Sequence, residues 1–415
     1  MSRLTAARGF KDISPQDIPT WRLIEDAARK MAGLHDFQEI RTPILERTSL
    51  FARGIGDATD IVEKEMYTFA DKGGDSLTLR PEATAGIVRA VIERGMLESG
   101  GRPLKLFALG PMFRYERPQM GRQRQFHQLD AEVFQDPGPL VDAEVIGFLW
   151  AFLRELGLGG LTLSLNSLGC PQCRPRHREA LVKYYQGEEK ALCPDCQRRL
   201  SHNPLRLLDC KNSDCRALAG KAPVMKEFLC PECGAHIEGV SLALTDLGLA
   251  PVWDSTLVRG LDYYCRTAFE VLSGDLGAQN AVAGGGRYDG LVSALGGPDA
   301  PAVGFAVGLE RLALLLKERA GLSAAGPDYY VAILDPAALG PAFRLTGALR
   351  ARGFTVAADW EAGSLKSRLR RADKIAAKKV IMLGADEIAS GQATVRDLLT
   401  KEQASAPFAD PEAFA

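Results

Sequence analysis

Leu106-Phe-Ala-Leu-Gly-Pro-Met-Phe-Arg114 runs into a polar stretch, Tyr115 to Arg124, and the chain returns as Gln125-Phe-His-Gln-Leu-Asp-Ala-Glu-Val-Phe134. The two apolar-rich runs around a polar, glycine-containing turn predict paired strands. Side chains alternate across a strand, so the second run places Gln128, Asp130 and Glu132 on one face and His127, Leu129, Ala131 and Val133 on the other. A solvated outer face would alternate in the same way. Arg114, at the end of the first run, favours a binding face, because a guanidinium beside polar groups is a ready partner for phosphate or carboxylate. The turn carries Arg117, Arg122 and Arg124, suited either to a solvated hairpin tip or to gripping phosphates and the end of an RNA strand.

Outward from this hairpin, composition divides the chain of 415 residues into several domains. Residues 1–169 and 241–322 share a character of apolar strands set with glycine, aromatic and charged residues. Residues 170–240 interrupt them with eight of the nine cysteines and three of the five histidines, and are expected to form an insertion with its own small core. After the turn signal Ala-Ala-Gly-Pro at 324–327, the apolar runs Tyr329–Leu334, Phe354–Ala358 and Val380–Leu383 alternate with helical stretches. This predicts a C-terminal α/β domain over 327–415, with a frayed tail after Gln403. No apolar run approaches the roughly 18–20 residues that cross a bilayer, and the first ten residues lack an apolar signal core, so a cytoplasmic protein without a membrane partner is expected.

Net charge is -1, which argues against a globally basic nucleic-acid binder and leaves local patches to hold any polyanion. One such patch spans Glu361 to Lys379, where seven basic residues, Lys366 and Arg370 among them, face two acids. A solvated helix face would look the same.

The cysteines form close pairs: Cys170 with Cys173, Cys193 with Cys196, Cys210 with Cys215, and Cys230 with Cys233. Two pairs complete a tetrahedral four-thiolate site, so four pairs predict two structural Zn2+ ions. Three ways of joining the pairs are open. Each predicted site lacks an open coordination position and is expected to be catalytically silent.

Three stretches carry a family resemblance. Phe113-Arg-Tyr-Glu116 with the hairpin around it resembles motif 2 of the class II aminoacyl-tRNA synthetases. Ala302-Val-Gly-Phe-Ala-Val-Gly-Leu-Glu-Arg311-Leu is similar to motif 3, and Ile40-Arg-Thr-Pro-Ile-Leu-Glu46 to motif 1, which builds the dimer interface in that class. Arg259-Gly-Leu-Asp-Tyr-Tyr264 and Ala283-Gly-Gly-Gly-Arg-Tyr288 resemble the histidine-specific motifs of the histidyl-tRNA synthetase family, and Leu79-Arg-Pro-Glu-Ala-Thr84 its amino-acid-binding turn. The resemblance spans about Ala7 to Gln403.

It implies an α+β fold: the antiparallel-sheet catalytic core of a class II synthetase, interrupted by the cysteine-rich insertion and followed by an α/β anticodon-binding domain. The implied activity is attack of the L-histidine carboxylate on the α-phosphate of ATP, assisted by Mg2+, releasing pyrophosphate. The resulting histidyl-adenylate passes its amino acid to the 3' end of tRNA(His), in a homodimer. Glu82, Thr84 and Gln128 are implied to hold the ammonium, Glu132 and Tyr264 to meet the imidazole, and Tyr263 and Tyr288 to wall the pocket. Arg114 and Arg259 would grip the α-phosphate, Arg311 the γ-phosphate, and Glu116 the adenine. Arg259 and the two tyrosines are expected on one strand. Arg122 and Arg124 are candidates for the tRNA acceptor end, Lys366 and Arg370 for the anticodon region. The rival readings are a non-charging, synthetase-like regulatory subunit of histidine biosynthesis, disfavoured by the retained Arg114, Arg259 and Arg311, and an Arg259 that merely pairs with Asp262 or another acid.

Overall fold

The hairpin lies at the heart of an eight-stranded sheet. The computed structural model describes residues 4–56, 59–98, 103–119, 121–274, 281–317 and 326–414, and the chain divides into two compact units, 1–322 and 323–415. Ala324 and Ala325 of the expected turn, and Met120 of the hairpin loop, lie outside the described residues.

In the first unit the strands are β1 (Gln38–Glu39), β2 (Leu45–Arg47), β3 (Tyr67–Ala70), β4 (Ser76–Leu79), β5 (Leu104–Phe113), β6 (Gln125–Phe134), β7 (Leu161–Ser167), β8 (Val252–Trp253), β9 (Cys265–Ser273), β10 (Ala281–Arg287) and β11 (Ala302–Gly308). The large sheet runs β1-β5-β6-β11-β10-β9-β7-β8, antiparallel from β5 through β7 and parallel at both edges. Strands β2, β4 and β3 form a separate small sheet.

Leu129, Ala131 and Val133 point into the main core with Phe305 and Val307 of β11. Helices Ile18–Leu34, Pro139–Glu155, Pro231–Asp246 and Leu309–Lys317 supply the other half of that core. The opposite face carries Gln128, Asp130 and Glu132, covered in part by helix Thr84–Glu93 and by Tyr264 and Tyr288. Alternation therefore holds, but the polar face is not solvated: these three residues are 8%, 1% and 1% exposed.

In the insertion, Cys193 and Cys230 each precede a proline at the first position of a helix, Pro194–His202 and Pro231–Asp246. Proline there presets the backbone for the first turn, which brings the second cysteine of each pair back beside the first. Leu181, Tyr185, Leu192 and Leu207 gather around Cys196, Cys210 and Cys215 as a local core. Helix Pro231–Asp246 runs through the expected boundary at 240/241 and buries Ile237, Val240 and Leu244 in the main core, so this end of the insertion is also a wall of the catalytic unit.

The second unit contains β12 (Tyr329–Ile333), β13 (Val356–Ala358), β14 (Lys379–Leu383), β15 (Gln392–Asp397) and β16 (Gln403–Pro407), in the order β13-β12-β14-β15-β16. The first three are parallel and joined through helices Leu339–Ala351 and Leu365–Lys374. The frayed tail is a misreading. Strand β16 pairs antiparallel with β15, Phe414 is buried in the unit's core, and the Tyr329 hydroxyl donates to its carbonyl. Gln-Ala-Ser-Ala-Pro offers little apolar periodicity, so β16 owes its place to backbone pairing with β15.

Candidate active site

The register sets residues in rows across the polar face of the sheet. One row runs Leu106, Glu132, Gly304, Gly286, Ala268, and the next runs Ala108, Asp130, Ala306, Gly284, Glu270. A third pairs Gly110, Gln128 and Gly308. Polar residues of β6 thus stand among glycines and alanines, which leaves room above the sheet. Two of the glycines are required by close approach. A Cβ on Gly304 would overlap the Glu132 carboxylate, and one on Gly284 would strike the Arg259 guanidinium. The Gly-Gly-Gly of β10 is therefore strand, and it lets Arg259 lie flat over the sheet.

At the first row, Glu132 accepts hydrogen bonds from the Thr84 hydroxyl at 2.6 Å and the Tyr288 hydroxyl at 2.5 Å. Tyr263, Tyr264 and Tyr288 pack together beside it, Tyr288 edge-on to the other two, with ring centroids 4.6–6.4 Å apart. Glu82 receives the backbone N–H groups of Thr84 at 2.8 Å and Ala85 at 2.9 Å, capping the helix that begins there. Burial raises all three carboxyls above the ordinary range: Glu82, where the two N–H groups oppose it, and Asp130 and Glu132 far more strongly. Charge on Glu82 adds to the rise at Asp130. Gln128 Oε1 and Asp130 Oδ2 are buried without a hydrogen-bond partner. Three buried acids and an amide, with orphaned acceptors on Asp130 and Gln128, form a site for a small cation bearing several N–H donors.

Cationic groups lie further along the sheet. Arg114 donates to the Pro81 carbonyl at 2.8 Å and sits over the Phe126 ring. Arg80 is buried, bonded to the Pro111 and Thr42 carbonyls. Arg259 lies over the Tyr264 ring, its Nη1 3.4 Å from Glu270, with Nε buried and unpartnered. Its acid neighbour is Glu270, not Asp262, and at that separation the contact is loose. Arg311 donates to the Ala281 carbonyl, and burial together with the Arg122 charge lowers its pKa. Arg122 in turn pairs with Glu116 at 3.0 Å.

The structure brings Glu82, Thr84, Gln128, Glu132, Tyr263, Tyr264 and Tyr288 together, with Arg114 and Arg259 alongside. It corrects one expectation. Arg259–Tyr264 is not a strand but the loop entering β9, and Arg266 breaks alternation with φ +47°. Arg122 and Arg124 are engaged within the hairpin loop, Arg122 on Glu116 and Arg124 over the Tyr115 ring at 3.7 Å. Thr84 donates its hydroxyl proton to Glu132, which leaves its oxygen lone pairs to accept from an ammonium. Sequence reasoning left Asp130 without a role, although its alternation with Gln128 and Glu132 was the available signal. Glu270 and Arg80 gave no local signal.

The thiols fall into two groups. Cys170, Cys173, Cys230 and Cys233 form one, Cys193, Cys196, Cys210 and Cys215 the other, each with sulfurs within 4.8 Å of one another. The first pair thus joins the fourth, and the second the third. Sulfur separations of 3.6, 3.9 and 3.8 Å match the edge of about 3.8 Å that Zn–S bonds of about 2.3 Å give a tetrahedron. The backbone N–H groups of Cys230 and Cys193 point at Cys173 and Cys215 sulfurs. The insertion's histidines lie elsewhere; His236, for one, binds Asp142 at 2.8 Å.

An antiparallel sheet with buried acids and arginines over one floor, the second and third motifs on its strands and the first motif beside them in sequence order defines a class II aminoacyl-tRNA synthetase. The family model described as histidyl-tRNA synthetase matches residues 9–172 and 232–312, and that of an anticodon binding domain matches 328–414. The chain is 51% identical over 405 residues to a histidine–tRNA ligase of Nitratidesulfovibrio vulgaris (strain Hildenborough), covering 97% of this chain and 96% of that one. It is 48% identical over 412 residues to that of Geobacter sulfurreducens, covering 99% of each. Apo histidyl-tRNA synthetase of S. aureus superposes with a TM-score of 0.81 at 35% identity, over 98% of both chains. A Bacillus halodurans C chain described as an ATP phosphoribosyltransferase regulatory subunit/histidyl-tRNA synthetase shares the fold alone, with a TM-score of 0.66 at 23% identity over 92% of this chain and 98% of that one. The chain belongs to the histidyl-tRNA synthetase family.

Proposed function

We propose that L-histidine lies across the first two rows of the sheet, its ammonium toward Glu82, Asp130 and Gln128 and its imidazole between Glu132, Tyr264 and Tyr288, with Tyr263 as a wall. The observation that carries this reading is the meeting of three buried acids, Asp130 among them with an orphaned oxygen, with Arg114 and Arg259 over one floor of small residues. A zwitterion whose carboxylate must meet a phosphate needs that polarity. The protein is an ATP-dependent histidine–tRNA ligase, as its relatives near 50% identity over almost their whole length are; the regulatory alternative has no comparable support.

A carboxylate oxygen of histidine attacks the α-phosphorus and the bond to the bridging oxygen breaks, so that pyrophosphate leaves with Mg2+. Arg114 and Arg259 offset the charge where two anions meet, while Arg311 holds the γ-phosphate and Glu116 the adenine. A hydroxyl at the tRNA 3' end then takes the acyl group and AMP leaves. A site that hydrogen-bonds the edge of the ring rejects an apolar analogue, which cannot make those bonds.

Two structural zinc ions fit the thiolate groups, and each would order the turns that its cysteines begin, without an open position for catalysis. Metal analysis of the purified chain should give close to two zinc ions per chain, and well under one would refute the assignment. The division into 1–169, 170–240, 241–322 and 327–415 belongs to the same proposal. So do a cytoplasmic setting and a homodimer, the latter supported by exposed Ile44, Leu45 and Phe69 beside the first motif. In the second unit Arg368 and Arg371 reach Asp359 at 3.0 and 3.5 Å, leaving Lys366 and Arg370 directed at solvent as tRNA contacts. Pyrophosphate exchange across the standard amino acids tests the whole reading. Histidine should drive it best, and a better result with any other amino acid would overturn it.

A further inference from the structure

The loop Arg259–Tyr264 is held by side chains from the insertion rather than by its own sheet. Arg206, in the turn Pro204–Leu207, donates from Nη1 to the Arg259 carbonyl at 3.0 Å and pairs with Asp209 at 2.9 Å. Asn203 donates to Asp262 at 2.9 Å, and Arg174 donates to the Tyr264 carbonyl. Val258, just before the loop, packs against both the local core of the insertion and the core beside the site. Two of these groups adjoin a thiolate cysteine in sequence: Arg174 follows Cys173, and Asp209, the partner of Arg206, precedes Cys210.

Arg259 itself has little to fix it. Its Nε is unpartnered and Glu270 is 3.4 Å away, so the direction of its guanidinium depends on where its backbone is pinned. We propose that Arg206 is a positioning residue for adenylate formation, holding the Arg259 backbone so that the guanidinium meets the α-phosphate, and that the thiolate-clamped insertion serves this purpose. This rests on the reading of Arg259 as the α-phosphate group. Arg174 does the same for Tyr264, at the amino-acid end. The insertion thereby acts on the first reaction, in which tRNA takes no part.

The test uses the full chain with its metal and follows histidine-dependent pyrophosphate exchange. Arg206→Ala should lower kcat by about 10–100-fold, the scale of misplacing a reacting group by about an ångström, with the histidine KM within about twofold of the wild type. Arg206→Lys should recover part of the loss. In an Arg259→Ala background, Arg206→Ala should cost nothing further, since the two act through one group. Arg174→Ala should chiefly raise the histidine KM. If Arg206→Ala loses its zinc or its fold, Arg206→Met, which keeps the apolar stem but has no donor, carries the same expectations. Wild-type kcat in the folded Arg206 variants, or an equal loss in the Arg259→Ala background, would overturn the inference and leave the α-phosphate reading standing. Near-wild-type exchange by Arg259→Ala alone would instead remove that reading, and this inference with it.

Discussion

Two groups of charged residues in this chain, one acidic and one basic, differ in their surroundings as much as in sign. The acids Glu82, Asp130 and Glu132 are at most 3% exposed, and converge on one floor of small residues. The bases of helix Leu365–Lys374 are spread along a surface where only Ala372 is buried. Water screens the second set, so each base is cheap to hold and weak in effect. The first set lies in a low dielectric, where an unpaired charge is expensive and its proper partner is bound strongly. A few buried groups can therefore choose one amino acid, whereas exposed bases hold a polyanion through number.

The largest expected effect tests the buried side of this contrast. Arg259→Ala should lower histidine-dependent pyrophosphate exchange by about 10²–10³-fold, the usual cost of losing one preorganised charge donor. Its circular dichroism and melting temperature should stay near those of the wild type, because the side chain's ion pair with Glu270 is loose and its remaining contact is the face of the Tyr264 ring. A loss below about tenfold would mean that the sheet floor does not act as a unit and that Arg259 is no more specific than a surface base.

The two regions were also unequally legible in sequence. The face of β6 could be read because its alternation is local, and the basic helix because charge is visible in composition. The Arg259 loop was taken for strand, since its conformation is set by Arg206, Asn203 and Arg174, residues far away along the chain whose contacts leave no local period. The cysteine spacing gave the pairs but not their joining, which depends on how helices Pro194–His202 and Pro231–Asp246 fold back within the insertion. Asp130 was read on the correct face, yet its orphaned oxygen is a fact of burial that only three dimensions reveal.

Asp130→Asn should separate stability from function. Burial, reinforced by Glu82, raises the Asp130 pKa well above the ordinary carboxylate range in the folded protein. The native state therefore favours the protonated form. The stability from that preference is fully present below about pH 4, the unfolded value, and is lost as pH rises through the raised native pKa. Asparagine keeps the shape and cannot ionise. The substituted chain should thus melt about 2–4 °C higher than the wild type at pH 8, with the difference closing toward pH 4, while its histidine KM rises about 10–100-fold from the lost charge-assisted contact. An unchanged KM would remove Asp130 from the ammonium site, and a lower melting temperature at pH 8 would show that its charge is already satisfied.

The smallest effect is expected from the exposed side, and its form matters more than its size. Lys366→Ala with Arg370→Ala should weaken tRNA binding by only a few-fold near physiological salt, because exposed ion contacts are screened over about 8 Å. Each phosphate contact removed should reduce the slope of log affinity against log salt by about 0.7–0.9. Pyrophosphate exchange, which needs no tRNA, should not change. Binding measured at several salt concentrations therefore tells the two kinds of charge apart. Loss of affinity with an unaltered slope would mean that these bases act by shaping the second unit and not by neutralising phosphate. A matching fall in exchange would show that the helix Leu365–Lys374 reaches the chemistry on the sheet, and the contrast between a buried, selective set and an exposed, cumulative one would then fail at its weaker end.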